Sequence, residues 1–435
     1  MNLIKNKSTE INNYIKKGNF KKAQLILSPL LKKYPAEINL LQLQVMIYLS
    51  NQDDTKALKY LYKMSEIKSH ESIYNNIGNI EKKFGNFNKA ITFYKKALDL
   101  DENNPHIYFN IANCYFSLKQ NIDAIDNYEK TLEIDNQYYN AHNNLGMLYL
   151  NSSQPLKAEF HLKEAIKLNK NFPEAILNLH FSYIFQNNIS EAISLLMQAI
   201  EDTIVNDKIL FYRAITYSYQ ADIKILDDIL SNLDKKQNLY KWLFEWKFLF
   251  SNKSNDFSLT RNHNENISYA IEKSSVSGLF LEFGVGSGFT SNLISNHITE
   301  DLHGFDCFEG IPEAWNNHPV GAFSTNGVIP SVNQNVKLYK GYFEDTLPAF
   351  CKNFTNNISF IHIDCDLYSS TKSIFDYLGD KIIPGTVILF DELIGYDGFE
   401  EHELKAFKEF IVDSKLDFEC LGLNYLSGQG IIKFI

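Results

Sequence analysis

The sequence predicts two architectures in one chain. An α-solenoid of stacked helix pairs over residues 5–203 is followed, past a helical segment at 204–254, by an α/β domain over 255–435 built on a mainly parallel sheet. Three observations predict this. Small residues recur at Ala90, Ala124, Ala158 and Ala192, an interval of 34 kept three times. After residue 275 that period gives way to short apolar runs alternating with helical segments. The first of those runs enters LEFGVGSG, residues 281–288, a glycine-rich turn at the end of a strand. A long fixed period signals repeat units that stack, and alternating strands and helices signal a parallel sheet with crossovers.

The repeat register is carried by several positions at once. Ala97, Ala165 and Ala199 stand seven residues after three of the anchor alanines, with Thr131 in the remaining place, and Tyr94, Tyr128, Leu162 and Leu196 supply a bulky side chain between. Gly78, Ala112 and Gly146 keep the first helix of successive units small at one point. Ala57 and Ala23 extend the series upstream, for about six repeats. This pattern resembles the tetratricopeptide repeat, in which two antiparallel helices cross at small residues and a large one fills the groove beside them. One helix pair cannot bury its apolar face alone, so neighbours must stack, and the resulting superhelix leaves a concave groove for a protein partner or for self-association. The segment Trp242 to Phe250, dense in aromatics, is expected to act as a covered cap, and the polar stretch SNKSND at 251–256 to hold the boundary.

Composition narrows the function classes. With 45% hydrophobic and 22% charged residues the 435-residue chain is globular, and no run approaches the roughly 18 apolar residues of a membrane helix. MNLIKNKSTE lacks the apolar core of a secretory signal, which makes the cytoplasm the expected location. Five scattered cysteines without a CxxC pair favour reduced thiols over a disulfide framework or zinc knuckle. Residues 255–435 carry 11 Lys and Arg against 25 Asp and Glu, a net of −14, leaving +4 for the rest. So acidic a domain repels nucleic-acid phosphate, and the remainder has no basic stripe, so nucleic acid is excluded as a partner.

Seven strands are predicted: 279–283, 302–306, 336–339, 358–364, 386–390, 418–423 and 430–434, the last two close enough for a hairpin that finishes the sheet with an antiparallel strand. In the turn after the first strand, Gly284, Gly286 and Gly288 allow close approach of a ligand. Such a turn serves both dinucleotide enzymes and methyltransferases. Two details favour the latter: the third glycine, Gly288, comes too early for the dinucleotide fingerprint G-x-G-x-x-G/A, and Glu282 places a carboxylate where it suits the α-ammonium of S-adenosylmethionine better than a pyrophosphate. Asp306, 18 residues after Gly288 at the end of the second strand, suits ribose hydroxyls, and Glu344 or Asp345 in GYFEDTLP suits the adenine amine. HIDCDLYSST at 362–371 and FDEL at 390–393 bring Asp364, Asp366, Asp391 and Glu392 to the carboxyl ends of strands expected to be neighbours, about 4.8 Å apart. Four carboxylates there call for a counterion, and an all-oxygen set suits Mg²⁺ or a similar hard cation.

The ordered set EFGVGSG, GFDCFEGIPEAW, GYFEDTLP, HIDCDLYSST, FDE and HELKAF resembles the macrocin O-methyltransferase family, over about residues 255–435. The resemblance implies a Rossmann-like class I methyltransferase domain with a seven-stranded sheet, S-adenosylmethionine as cofactor, a divalent metal and a sugar or glycoside hydroxyl as acceptor. It implies Asp364, Asp391 and Glu392 as metal ligands, Asp366 as general base, and Glu282, Gly284 and Asp306 as cofactor contacts. His402 is the rival base or an acceptor contact. The connection 309–335, with Trp315, is expected to form a lid over cofactor and acceptor. Against this stands a different class of function, an assembly protein in which the repeats scaffold a complex and the second domain is secondary, or modifies a protein or its attached glycan.

Overall fold

The computed structural model describes residues 2–201, 206–220, 223–259, 263–316, 318–424 and 428–435. It divides into two compact units, residues 1–152 with 157–175, and residues 153–156 with 176–435. The boundary expected at 203 to 204 lies outside the described residues.

The first unit is a succession of antiparallel helix pairs, such as Glu71–Lys83 with Phe87–Leu98 and Pro105–Ser117 with Asn121–Ile134. Polar N-caps start many of these helices; Asn19, Asp53 and Asn104 each accept a backbone N–H from the first turn. The anchor alanines 23, 57, 90, 124 and 158 are all fully buried. Small residues on the facing helix let a bulky neighbour in: a Cβ on Gly78 would stand 2.5 Å from the Tyr94 ring, and one on Gly146 2.6 Å from Leu162. The core is a chain of clusters, each joining one helix pair to the first helix of the next. Ile11, Ala23 and Leu27 gather with Leu40 and Ile47; Ala57 and Leu61 with Ile73 and Ile77; Ala90 and Tyr94 with Ile107 and Ile111. Contacts of this kind are local in sequence, which is why the period is readable.

The second unit contains most of the helix Pro173–Phe185, its partner Ile189–Glu201, eight further α-helices among the described residues, and a mixed sheet. Its strands are β1 (Lys253–Leu259), β2 (Leu279–Phe283), β3 (Leu302–Asp306), β4 (Val336–Lys340), β5 (Ile358–Ile363), β6 (Val387–Phe390), β7 (Phe418–Leu423) and β8 (Gly430–Phe434), in the order β1-β7-β8-β6-β5-β2-β3-β4. Only β8 runs antiparallel to its neighbours. The sheet therefore has eight strands, not seven. The extra strand occupies the polar stretch expected to be a boundary, and pairs in parallel with β7. Lys253, Asn255 and Asp256 in it are exposed, as an edge strand permits, so no apolar alternation announced it. Most aromatics of the helix Asn238–Ser251 are covered, Phe244 being exposed: Trp242 meets Phe211 at 5.7 Å, and Phe248 meets Phe418 of β7 at 5.6 Å. Lys241 and Lys408 bridge this helix to the region after β6, through Glu400 at 3.0 Å and Glu245 at 2.7 Å. Among the described residues no helix is long and apolar enough to cross a membrane.

Strand order reverses between β2 and β5, which opens a crevice at their carboxyl ends. β2 and β5 are buried along their whole length. Their register sets Glu282 directly opposite His362, and β5 is flanked in turn by β6.

Candidate functional site

The site is assembled at this crevice from the ends of β2, β3, β5 and β6. Leaving β2, Gly284 adopts φ +93°, and a Cβ there would lie 1.7 Å from the Asp364 carbonyl. That glycine lets the exits of β2 and β5 touch. Gly286, at φ +52°, has nothing within 4 Å of a Cβ position, so it borders open space in which a ligand fits. A Cβ on Gly288 would meet Val332 at 2.8 Å, so this glycine accommodates the 309–335 connection.

Asp306 holds the turn. One of its oxygens accepts the backbone N–H groups of Val285 at 2.9 Å and Gly286 at 2.8 Å, and the other accepts that of Phe308 at 2.6 Å. Glu282 is fully buried; Oε2 accepts the Ser291 hydroxyl, and Oε1 has no hydrogen-bond partner. An orphaned buried carboxylate oxygen beside an open glycine turn fits an ammonium group. Glu344 and Asp345 stand apart, exposed on the first turn of the helix Phe343–Asn353, where Glu344 accepts the Ser373 hydroxyl at 2.7 Å.

The acids at the ends of β5 and β6 do converge, and they raise one another's proton affinity. Asp364 is held well above the usual carboxylate range by burial, then by the charges of Asp391, Asp366, Glu403 and Glu282. Burial first and Asp391 second push Asp366 up to about 6. Glu392 is pushed up to about 8 by burial, with Asp366 and Asp391 adding to it. Asp366 also sits at φ +62°, a left-handed conformation uncommon outside glycine and concentrated at functional sites.

Four participants were given no role by the sequence: Glu403 and His362 lie inside HELKAF and HIDCDLYSST, whereas His263 and Gln429 lie outside every motif. Glu403 is fully buried, both of its oxygens lack partners, and burial with the rim charges pushes its carboxyl well up. Its signal is periodic: Glu403, Phe407 and Phe410 share the buried face of one helix, an acid where an apolar residue belongs. His362 is fully buried in β5, two residues before Asp364, with neither ring nitrogen hydrogen-bonded. His263 and Gln429 arrive from distant segments. Among the described residues, the group of potential ligand atoms lying within 4.8 Å of one another is His263, His362 and Asp391; Asp364 and Glu392 are not in it.

The 309–335 connection, described except for residue 317, folds on itself through Ile311 N–H to Ala322 O at 3.0 Å and Gly321 N–H to Ile311 O at 2.9 Å. Trp315 is buried beside Ile311 and Leu367, stacks on His318, and lies 5.7 Å from Tyr396. The Trp315 Nε1 and the Tyr396 hydroxyl are both buried without a hydrogen-bond partner. His402 stacks on Tyr396 at 6.2 Å, and burial lowers its pKa.

Residues 281–393 match the family described as a methyltransferase domain. Residues 105–138 and 139–172 match the tetratricopeptide repeat, and residues 78–119 a related repeat description. The chain carries tetratricopeptide repeats and a methyltransferase domain. A methyltransferase domain implies use of S-adenosylmethionine. Among curated proteins no match is found. Similar solved structures include a tetratricopeptide repeat protein from Parabacteroides merdae, 18% identical over 49% of this chain and 86% of that one, with a TM-score of 0.42. Another is the C-terminal part of a repeat protein from Cytophaga hutchinsonii, 18% identical over 54% and 98%, with a TM-score of 0.46. MamA from Desulfovibrio magneticus is 19% identical over 38% and 93%, with a TM-score of 0.36. These scores are all under 0.5, and the repeat assignment rests on the family matches.

Proposed function

We propose that the second unit methylates a hydroxyl of a sugar or glycoside acceptor, with Asp366 as general base and a divalent cation assisting, and that the repeats bind a partner or the carrier of the acceptor. The observation that supports it is the gathering of acids with raised proton affinity beside an open glycine turn, within a methyltransferase domain.

S-adenosylmethionine, when bound, supplies an electrophilic methyl carbon. The protein's work is then to orient the acceptor and take its proton, since a hydroxyl is a poor nucleophile at neutral pH. Asp366 fits that role, because a carboxyl pushed up to about 6 is largely ionised at neutral pH yet more basic than an ordinary aspartate. Glu282 offers Oε1 to the cofactor's ammonium, and Asp306 keeps the glycine turn shaped for it. The cation is assigned to Asp364, Asp391 and Glu392, of which only Asp391 belongs, among the described residues, to a group of ligand atoms within 4.8 Å of one another in the metal-free chain; held there it would favour ionisation of the hydroxyl and offset the crowding of these acids. Buried Trp315 and half-buried Tyr396 and His402 would border the acceptor, with the 309–335 connection as lid.

Incubating the intact chain with S-adenosylmethionine, Mg²⁺ and glycoside fractions, and following the mass gain of one methylene, tests this reading. No transfer to any hydroxylated acceptor, with cofactor binding intact, would overturn it. Comparing the intact chain with a repeat-directed variant on free and protein-attached glycans separates a sugar enzyme from one that modifies a scaffolded partner.

A further inference from the structure

We propose that His263, His362 and Asp391 form a binding site for a transition-metal dication of borderline softness, such as Zn²⁺ or Co²⁺. This goes beyond methyl transfer and differs from the oxygen-only cation set at the rim, with which it shares Asp391, so that the two sites are alternatives.

Three elements converge on it. His263 begins the helix His263–Lys273, His362 lies in β5, and Asp391 directly follows β6. Asp391 Oδ1 lies 3.6 Å from His263 Nδ1 and 4.0 Å from His362 Nε2. Both separations are too long for direct hydrogen bonds and close to the edge of about 3.3 Å expected between nitrogen and oxygen ligands around a tetrahedral ion. The independent observation is His362. It is fully buried, neither ring nitrogen has a hydrogen-bond partner, and its Nε2 is turned toward this group. A buried imidazole so placed needs something to coordinate.

The surroundings match how ligating histidines are held, with the remaining ring nitrogen facing an oxygen. His362 Nδ1 faces Glu282 Oε1 at 3.5 Å, and His263 Nε2 faces Thr290 Oγ1 at 3.4 Å. Gln429 adds a fourth group. Its amide nitrogen bridges His263 Nδ1, at 2.5 Å, and Asp391 Oδ1, a place where a positive charge is favoured. The two ends of an amide are interchangeable in outline. Asn266 Nδ2 now donates to the Gln429 oxygen, while Asn266 Oδ1 is buried and unpartnered; with both amides turned over, Gln429 brings its oxygen to the ion and donates its NH₂ to Asn266 Oδ1. Two imidazoles disfavour Mg²⁺ and Ca²⁺ and suit the later divalent metals. His263 is 31% exposed, which gives an ion a way in.

The test is a titration of the full chain with Co²⁺ without S-adenosylmethionine, read by visible ligand-field absorption, so that methyl-transfer activity plays no part. We expect one ion per chain with the strong absorption of nitrogen-containing, low-coordinate cobalt, displaced by Zn²⁺ and not by excess Mg²⁺. His263→Ala, at a partly exposed position that the fold tolerates, should weaken binding roughly 100-fold or more, and Thr290→Val about tenfold. Asp364→Asn should keep the spectrum. Absence of the band in the wild-type chain overturns the inference, as does a band that survives His263→Ala and disappears in Asp364→Asn, which would place the ion among the rim acids.

Discussion

The repeat helices and the edge of the sheet treat buried polar groups in opposite ways. In the repeats the larger of these groups are paired across helices, twice at the 34-residue spacing of the alanines, and among the described residues Ser8 Oγ, Asn12 Oδ1 and Asn75 Oδ1 are left without a partner. Tyr94 donates to Asn79 at 2.7 Å and Tyr128 to Asn113 at 2.5 Å; in the next unit the bulky residue is Leu162, and position 147, where the asparagine would stand, is Met. Buried Glu81 is met by Tyr62, Asn86 and Lys89. At the crevice, by contrast, Glu282 Oε1, both nitrogens of His362, both oxygens of Glu403, Trp315 Nε1 and the Tyr396 hydroxyl have no such partner. A folded chain keeps unmet buried groups where something else is meant to meet them. One region is built to be stable, the other to bind.

The most severe test of this contrast is Asp366→Asn. We expect roughly 10²-fold or more loss of turnover with S-adenosylmethionine affinity unchanged, measured by steady-state kinetics and calorimetry. Wild-type turnover in that variant would remove the base from the rim. Deleting residues 316–328 should raise KM for the acceptor while leaving the thermal midpoint near its starting value; unchanged kinetics would return the connection to the role of a surface loop.

In the repeats the effects should fall on stability alone. Gly78→Ala would force a Cβ to within 2.5 Å of the buried Tyr94 ring. Overpacking of about 1–3 kcal/mol, partly offset by the better helix propensity of alanine at about 1 kcal/mol, leaves a net loss readable by denaturant unfolding with turnover intact. Tyr94→Phe should cost about 1 kcal/mol, the ordinary net worth of a hydrogen bond.

The smallest effect is the pH dependence. The Glu392 carboxyl titrates near 4.5 when unfolded and at about 8 when folded. Between those values the folded chain holds the extra proton, so stability falls as pH rises through this window. Raised Asp366 and Glu403 act in the same direction. The thermal midpoint of the metal-free chain should therefore drop from about pH 6.5 to about pH 8, above the range in which buried His161 and His180, lowered to about 4, act in the opposite direction, and Glu392→Gln should flatten the decline. A midpoint that climbs over this range would contradict the crowded-acid description.

Some of this was legible in residues and some was not. Ala90, Ala124 and Ala158 announced the repeats because each helix packs on its sequence neighbours. Gly284, Asp364, Asp366 and Asp391 announced the crevice because strand ends are where a parallel sheet binds, and seven of the strands carried their own apolar runs. The polar strand β1 did not, since an edge strand buries little. Glu403 was masked by the charge run around it, although its place among Leu404, Phe407 and Phe410 marked the buried face.

By itself the sequence determined the helical repeats, the alternation of strand and helix, and the acids and glycines at individual strand ends, all features whose energetics are settled within about one repeat or one crossover. Only the tertiary structure decided that His263, His362, Asp391 and Gln429 meet at one point, and that Glu282 faces His362. Those meetings depend on which strands become neighbours when the sheet order reverses between β2 and β5, and that choice is made by the whole core at once.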